Sequence, residues 1–281
     1  MTNLTRNALY LLAYAGVALW FSAAAHAQRV AIVTPDATGH SRAVAERFAA
    51  GLEEKFRVLD TAMAEAAFAA VRPETPFNMT TAQAKDVAVA IGCDFFVLLK
   101  SETLRRSSSA RAEYYESYMV VYIIDGRTGE LLSWDLASFE ENSQPAADAR
   151  LISVVPTFAS TMARRLSKIN RNSIPPAPQT ATATNADEKE FRSPIPYKRI
   201  RPEYTRTAFM YGVSGTVDIE ADIDETGKIS RTSIVRWAGY GLDESVERAV
   251  RTMNWRPAMR SGKPLPMRVL LRYNFTKIEK D

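Results

Sequence analysis

GTVDIEADID, residues 215–224, alternates strictly between apolar and acidic side chains from Val217 onward. This period of two predicts a strand that buries one face and leaves the other in water. ETGK, residues 225–228, supplies a turn whose glycine tolerates positive φ, and residues 229–237 have the composition of the returning strand. The stretch therefore predicts a β-hairpin with one apolar face.

A helix and a final strand follow this hairpin. The helix is predicted from an apolar stripe at positions i, i+4, i+7, i+8 and i+11, formed by Leu242, Val246, Ala249, Val250 and Met253. Pro264 and Pro266 interrupt the chain, and residues 267–275 then alternate again. Trp255, Tyr273 and Phe275 fall on the apolar phase of their elements, so we expect core positions rather than a ligand site. The pattern predicts a small antiparallel sheet with packed helices.

Short motifs in this region occur in a recognisable order. They are GVSGTV (212–217), DETGKI (224–229), GLD (241–243), WRPA (255–258) and GKP (262–264). Together they resemble the C-terminal domain of the TonB energy-transducer family over residues 195–278. That family usually has Tyr-Pro before its first helix, whereas this chain has Tyr204-Thr205, with its proline at Pro202. The resemblance implies that an edge of the sheet accepts an extended segment of a partner protein.

The final strand is the candidate partner-binding element. Its candidate residues are Arg268, Val269, Leu270, Arg272 and Asn274. Strand addition would use backbone hydrogen bonds for affinity and alternate side chains for specificity. Arg268, Arg272 and Asn274 lie on the polar face and suit an acidic partner strand. The alternative is that the same charges blunt the edge against pairing, and the sequence leaves both open.

Residues 28–170 predict a separate α/β domain with the order βαβα(α)βββα. The segment AIGCDFFV (90–97) and the turn IDGRTGEL (124–131) resemble an envelope domain. That domain is shared by the TolB N-terminal region, the curli-secretion lipoprotein and activators of penicillin-binding proteins. The predicted fold class is thus a two-domain α+β or α/β protein: a mixed-sheet α/β domain, then the TonB-like domain at residues 191–281. Residues 171–190 are a Pro/Ala/Thr-rich linker.

The N-terminus predicts export. Residues 8–25 are apolar, Arg6 precedes them, and Ala25-His26-Ala27 fits a signal-peptidase site. An uncleaved inner-membrane anchor is the alternative, because the apolar run is near the length of a span. Of the remaining chain, residues 28–190 carry 18 Lys and Arg against 21 Asp and Glu, and residues 191–281 carry 17 against 11. The basic C-terminal domain favours acidic partners, and a solvated basic surface is the simpler interpretation.

Catalytic and cofactor chemistry has little support in the sequence. His40 is the only histidine after Ala27, so the mature chain cannot assemble a cluster of histidines. The TGHS turn at residues 38–41 superficially resembles a flavodoxin phosphate loop, but capping of a helix by Ser41 is the simpler interpretation. Cys93 has no intramolecular disulfide partner and is predicted to be buried. We expect no metal, no cofactor, no nucleic acid and no enzyme activity.

The sequence favours a non-enzymatic periplasmic protein that binds an extended segment of an envelope protein. A TonB-dependent outer-membrane receptor or a cell-wall-associated protein would be such a partner. Two alternatives stay open: an inner-membrane-anchored energy transducer for outer-membrane transport, and a flavin-binding or hydrolytic enzyme. Membrane contact requires that residues 8–25 be retained. A homodimer through the final strand also stays open.

Overall fold

A computed structural model gives the structure of this protein and describes residues 27–168 and 191–277. The predicted linker, residues 171–190, lies outside the described residues, as does the predicted signal peptide up to residue 26. Within the two described ranges, no helix is both long enough and apolar enough to cross a bilayer.

The first domain is a mixed sheet between layers of helix, as predicted. Its elements are β1 (Arg29–Val33), α1 (Gly39–Leu52), β2 (Arg57–Val58), α2 (Thr61–Val71), a 3-10 turn (Pro76–Asn78), α3 (Thr81–Ile91), β3 (Phe95–Arg106), β4 (Tyr114–Asp125), β5 (Leu131–Glu141) and α4 (Gln144–Leu166). The strand order is β2-β1-β3-β4-β5. β1 is parallel to β2 and β3, whereas β3, β4 and β5 are antiparallel neighbours. The predicted fold class is confirmed.

Side-chain oxygens cap the first three α-helices of this domain. α1 is capped by Thr38, whose hydroxyl accepts from the Ser41 N–H at 3.1 Å, so the prediction of Ser41 as the cap is wrong. α2 is capped by Asp60, whose carboxylate accepts from the Met63 N–H at 2.9 Å. In both helices the cap is the residue whose oxygen reaches the amide three positions later. Thr80 caps α3 in a full capping box with Gln83.

The second domain contains a three-stranded antiparallel sheet of order β13-β8-β9. Its elements are β6 (Phe191–Arg192), β7 (Ile195–Pro196), α5 (Arg206–Met210), β8 (Gly215–Ile223), β9 (Ile229–Arg236), α6 (Leu242–Arg251), β10 (Trp255–Arg256), β11 (Ala258–Arg260), β12 (Lys263–Leu265) and β13 (Met267–Phe275). The apolar face of β8 is fully buried against the α6 stripe, including Val246 and Val250. This confirms the amphipathic pattern from which the hairpin and helix were predicted.

The two domains share one of the two buried hydrophobic clusters. One face of the five-stranded sheet packs on α1 and α4, through residues such as Phe48 and Val155. The other face packs on α2, α3 and the second domain, and Val120 and Tyr122 belong to the same buried cluster as Trp237 and Ile219. The second domain therefore completes the cover of a sheet that belongs to the first.

Candidate partner-binding edge of the C-terminal sheet

β13 forms one edge of the C-terminal sheet. It pairs in antiparallel register with β8 along its whole length, from Met267 opposite Ile223 to Phe275 opposite Gly215. In the strand order of the described residues, β13 has a neighbour on one side only. The candidate residues named from the sequence thus lie together on an edge strand.

The side chains of β13 alternate between the core and the outer face. Val269, Leu271 and Tyr273 are half-buried against the shared core, and Phe275 is buried. On the outer face, Leu270 lies between Arg268 and Arg272 and is 58% exposed. An apolar side chain this exposed in the middle of an edge strand is available to a pairing partner.

The backbone groups of β13 that face the free edge can be assigned from Asn78. The Thr216 N–H donates to Asn78 Oδ1 at 2.9 Å, and Asn78 Nδ2 donates to the Thr216 carbonyl at 2.7 Å. Asn78 Nδ2 also donates to the Trp237 carbonyl, so Asn78 lies on the β9 side of β8. The backbone N–H and C=O of Thr216 therefore face away from β13. Asn274 lies opposite Thr216, so its own backbone N–H and C=O face away from β8.

This orientation repeats at every second residue. The N–H and C=O groups of Arg268, Leu270, Arg272 and Asn274 consequently face the free edge. Those of Val269, Leu271 and Tyr273 face β8. The free edge offers a regular row of donors and acceptors, which is what an added strand requires.

The arginines of β13 are held by the neighbouring strand. Arg268 makes a two-point ion pair with Asp222 at 2.6 and 2.9 Å, and Arg272 pairs in the same way with Asp218 at 2.7 and 2.9 Å. The hydrogen bonds that both guanidinium groups donate to these carboxylates raise the pKa of each arginine. Arg236 of β9 adds a third contact, at 3.3 Å from Asp218. The charge of both arginines is therefore largely balanced within the sheet.

The opposite edge of the sheet is joined to the first domain. Thr80 forms an antiparallel bridge with Arg236, and the Trp237 N–H donates to the Met79 carbonyl at 3.3 Å. Arg236 Nη1 donates to the Asn78 carbonyl at 3.1 Å. The segment 78–80 thus takes the place of a strand at the end of β9.

A cluster of aromatic side chains packs at the junction between β9 and the first domain. Trp237 and Tyr240 pack against Tyr122 of β4 with ring centroids 5.7 and 6.3 Å away, and Tyr240 stacks on Trp134 of β5 at 5.5 Å. Tyr122 donates to the Ala238 carbonyl at 2.8 Å. At Gly239 a Cβ atom would lie 2.5 Å from the Tyr122 hydroxyl. Sequence reasoning missed this contact; the only local signal was the run WAGYG at residues 237–241.

Asp243 fixes the loop that carries this cluster. Its carboxylate accepts from the Ala238 N–H at 2.9 Å and from the Gly239 N–H at 2.7 Å. Burial raises its pKa to about 7, against the lowering effect of the two backbone hydrogen bonds. Asp243 is therefore a buried titratable group at the junction of the domains.

His40 and Cys93, the two other residues with reactive side chains considered from the sequence, do not form a catalytic arrangement. His40 Nε2 lies 3.4 Å from Ser117 Oγ and 3.9 Å from Asp148 Oδ1. A nucleophilic triad needs the serine and the acid on opposite ring nitrogens, so this arrangement does not form one. Cys93 is buried as predicted, and burial raises its thiol pKa to about 12. Across the described ranges, no group of His, Cys, Asp and Glu has the arrangement of a metal site.

Comparison with known proteins agrees with the sequence resemblance. The family model of the Gram-negative bacterial TonB protein C-terminal matches residues 200–276. No curated protein matches the chain.

Several solved structures are similar to parts of the chain. The TonB C-terminal domain of Pseudomonas aeruginosa is 22% identical over 34% of this chain and 93% of its own, with a TM-score of 0.27. Lipoprotein GNA1162 of Neisseria meningitidis is 18% identical over 49% of this chain and 99% of its own, with a TM-score of 0.34. The LpoB C-terminal domain of Salmonella enterica is 13% identical over 42% of this chain and 87% of its own, with a TM-score of 0.25.

The resemblance drawn from the ordered motifs is confirmed by the family model. The matched residues, 200–276, include the whole of β8, β9, α6 and β13.

Proposed function

We propose that this protein is a non-enzymatic, exported envelope protein that binds an extended segment of a partner by strand addition to β13. The free edge of β13 carries the proposal, because four alternate residues direct their backbone groups away from β8. The TonB-type domain supports it, since the family resemblance implies this mode of binding. The proposed location is the periplasm, and the proposed partner is another envelope protein, such as a TonB-dependent receptor or a cell-wall-associated protein.

The other edge of the sheet supports the choice of β13. At its end, β9 already pairs with Thr80 and contacts Asn78. An added strand there would have to displace the first domain and its aromatic cluster. β13 needs no such rearrangement.

The partner is identified first by photo-crosslinking in the cells that produce the protein. A photoreactive amino acid replaces Leu270, which is 58% exposed on β13. The control places it at Met63, which is 74% exposed on α2 of the first domain. A crosslinked protein found at position 270 and absent at position 63 defines the segment to synthesise as a peptide.

Hydrogen exchange then tests the binding mode with that peptide. On binding, the amides of Arg268, Leu270 and Arg272 should gain protection, because they face the free edge. The amides of Val269 and Leu271 should change little, since they are already bonded to β8. Protection without this alternation, or protection confined to another element, would rule out strand addition at β13.

A further inference from the structure

A pocket of about 390 Å³ adjoins the C-terminal end of β13. Its lining is made mainly of rings and includes Pro202, Tyr204, Phe209, Tyr273 and Phe275. Tyr204 stacks on Phe275 with centroids 6.2 Å apart and meets Phe209 edge-on at 6.4 Å. The volume is within the range of sites that hold one large side chain or a small ligand.

The pocket lies where an added strand would reach it. Asn274 also lines the pocket, and its backbone groups face the free edge of β13. The side chains of Tyr273 and Phe275 point to the core side of the sheet, so the pocket lies on that side of β13. Side chains of an added strand alternate between the two sides. One of them, opposite this end of β13, therefore enters the pocket while the backbone is bonded to the edge.

The charges around the pocket differ from those along the strand. Arg268 and Arg272 are balanced by Asp222 and Asp218. Arg201 lines the pocket, and the Lys277 ammonium lies 5.7 Å from the centre of the Phe209 ring. Among the described residues, neither Arg201 nor Lys277 has an acidic partner, and no acidic side chain lines the pocket. The unbalanced positive charge of this edge is thus concentrated at the pocket.

We infer that the β13 edge selects a peptide with an aromatic or large aliphatic residue for the pocket and an acidic residue two positions away. The spacing follows from the geometry, because residues two apart lie on the same side of an extended chain. The apolar residue fills the space among the rings, and the carboxylate meets Arg201 and Lys277 at the rim. This inference rests on the proposed function and adds the chemistry of the partner. The acidic residue of the partner, expected from the sequence to contact Arg268 and Arg272, would then contact Arg201 and Lys277 at the end of β13.

A random decapeptide library displayed on phage tests the inference against the full-length protein. We expect enriched peptides to share an apolar residue and an Asp or Glu two positions from it. Reversal of both rim charges, by Arg201→Glu with Lys277→Glu, should weaken a synthetic enriched peptide at least tenfold. It should remove the acidic preference when the library is selected again. The control reverses two exposed charges of the first domain, by Arg42→Glu with Lys85→Glu, and should leave affinity unchanged.

A second variant separates this inference from strand addition itself. Leu270→Pro removes an edge N–H without touching the pocket and should abolish binding of every enriched peptide. If Leu270→Pro abolishes binding but the rim reversal leaves affinity and preference unchanged, strand addition stands and the selectivity inference is overturned. If binding is indifferent to Leu270→Pro, both are overturned. Circular dichroism of each variant confirms that the loss is not due to unfolding.

Discussion

The two edges of the C-terminal sheet have opposite surroundings. At the end of β9, the first domain supplies Asn78, Met79 and Thr80 as pairing groups, and aromatic rings seal the contact. Along β13, the described residues offer no second neighbour, and the outward backbone groups stay available. An unpaired edge is a liability in a soluble protein. The fold thus covers one edge of the sheet and leaves open the edge at which we propose that a partner binds.

Proline substitution on β13 should show the strongest contrast. Val269→Pro removes a donor to β8 and should cost about 3 kcal/mol or more, with loss of the sheet. Leu270→Pro removes a donor to the free edge and should cost less than about 1 kcal/mol, because proline is tolerated where the N–H faces solvent. Urea unfolding followed by tryptophan fluorescence measures both. Equal losses would contradict the assignment of the backbone groups.

Asparagine substitutions should distinguish the closed edge from the open one. Asn78→Ala leaves the Thr216 N–H and two carbonyl groups without their partner, so we expect a loss of about 2 to 3 kcal/mol. Asn274→Ala on the open edge removes one acceptor for the Thr216 hydroxyl and should cost within about 0.5 kcal/mol. Thermal unfolding of the two variants checks this order. A larger loss for Asn274→Ala would mean that the open edge is the structurally important one.

The stability of the protein should also depend on pH through Asp243, which lies at the junction between the two domains. Its pKa is raised from 3.8 to about 7 in the folded protein, so the folded state binds the proton more tightly than the unfolded state. Its contribution to stability is therefore fully present below about pH 4 and is lost as pH rises through about 7. Relative to Asp243→Asn, the wild-type protein should lose about 2 kcal/mol of unfolding free energy between pH 5 and 7.

Urea titrations of both proteins at three pH values between 5 and 8 measure this difference. The comparison with the asparagine variant removes the contributions of other titrating groups, which both proteins share. A difference that is constant with pH would show that Asp243 is ionised throughout this range. If the wild-type protein instead gained stability relative to Asp243→Asn as pH rises, the raised pKa of Asp243 would be contradicted.

Patterns carried within a single element were predictable from the sequence. The alternation in β8 and the helical stripe from Leu242 to Val250 depend on local periodicity, which burial of one face imposes directly. The ion pairs of β13 were predictable in principle. Asp218 and Asp222 are four residues apart, as are Arg268 and Arg272, and antiparallel pairing places such sets opposite each other. That signal becomes visible only once the two strands are set in register.

Contacts between the domains could not be predicted in this way. Asn78 has the appearance of an ordinary loop residue after Pro76, and nothing near it in sequence indicates that its amide serves β8. Its partners, Thr216 and Trp237, are more than a hundred residues away. The pocket beside β13 likewise gathers Pro202, Phe209 and Tyr273 from separate segments. Such sites depend on how the elements assemble rather than on the preference of any one of them.

Because Asn78 of the first domain hydrogen-bonds to the second domain, the two domains cannot be separated without loss of contacts. The C-terminal domain cut at its sequence boundary, near residue 191, would leave behind the amide that satisfies Thr216 and the tyrosine that covers Trp237. Recombination of either domain with a foreign neighbour would need a new surface matched to both. The two domains therefore depend on each other for hydrogen bonding and burial at their junction.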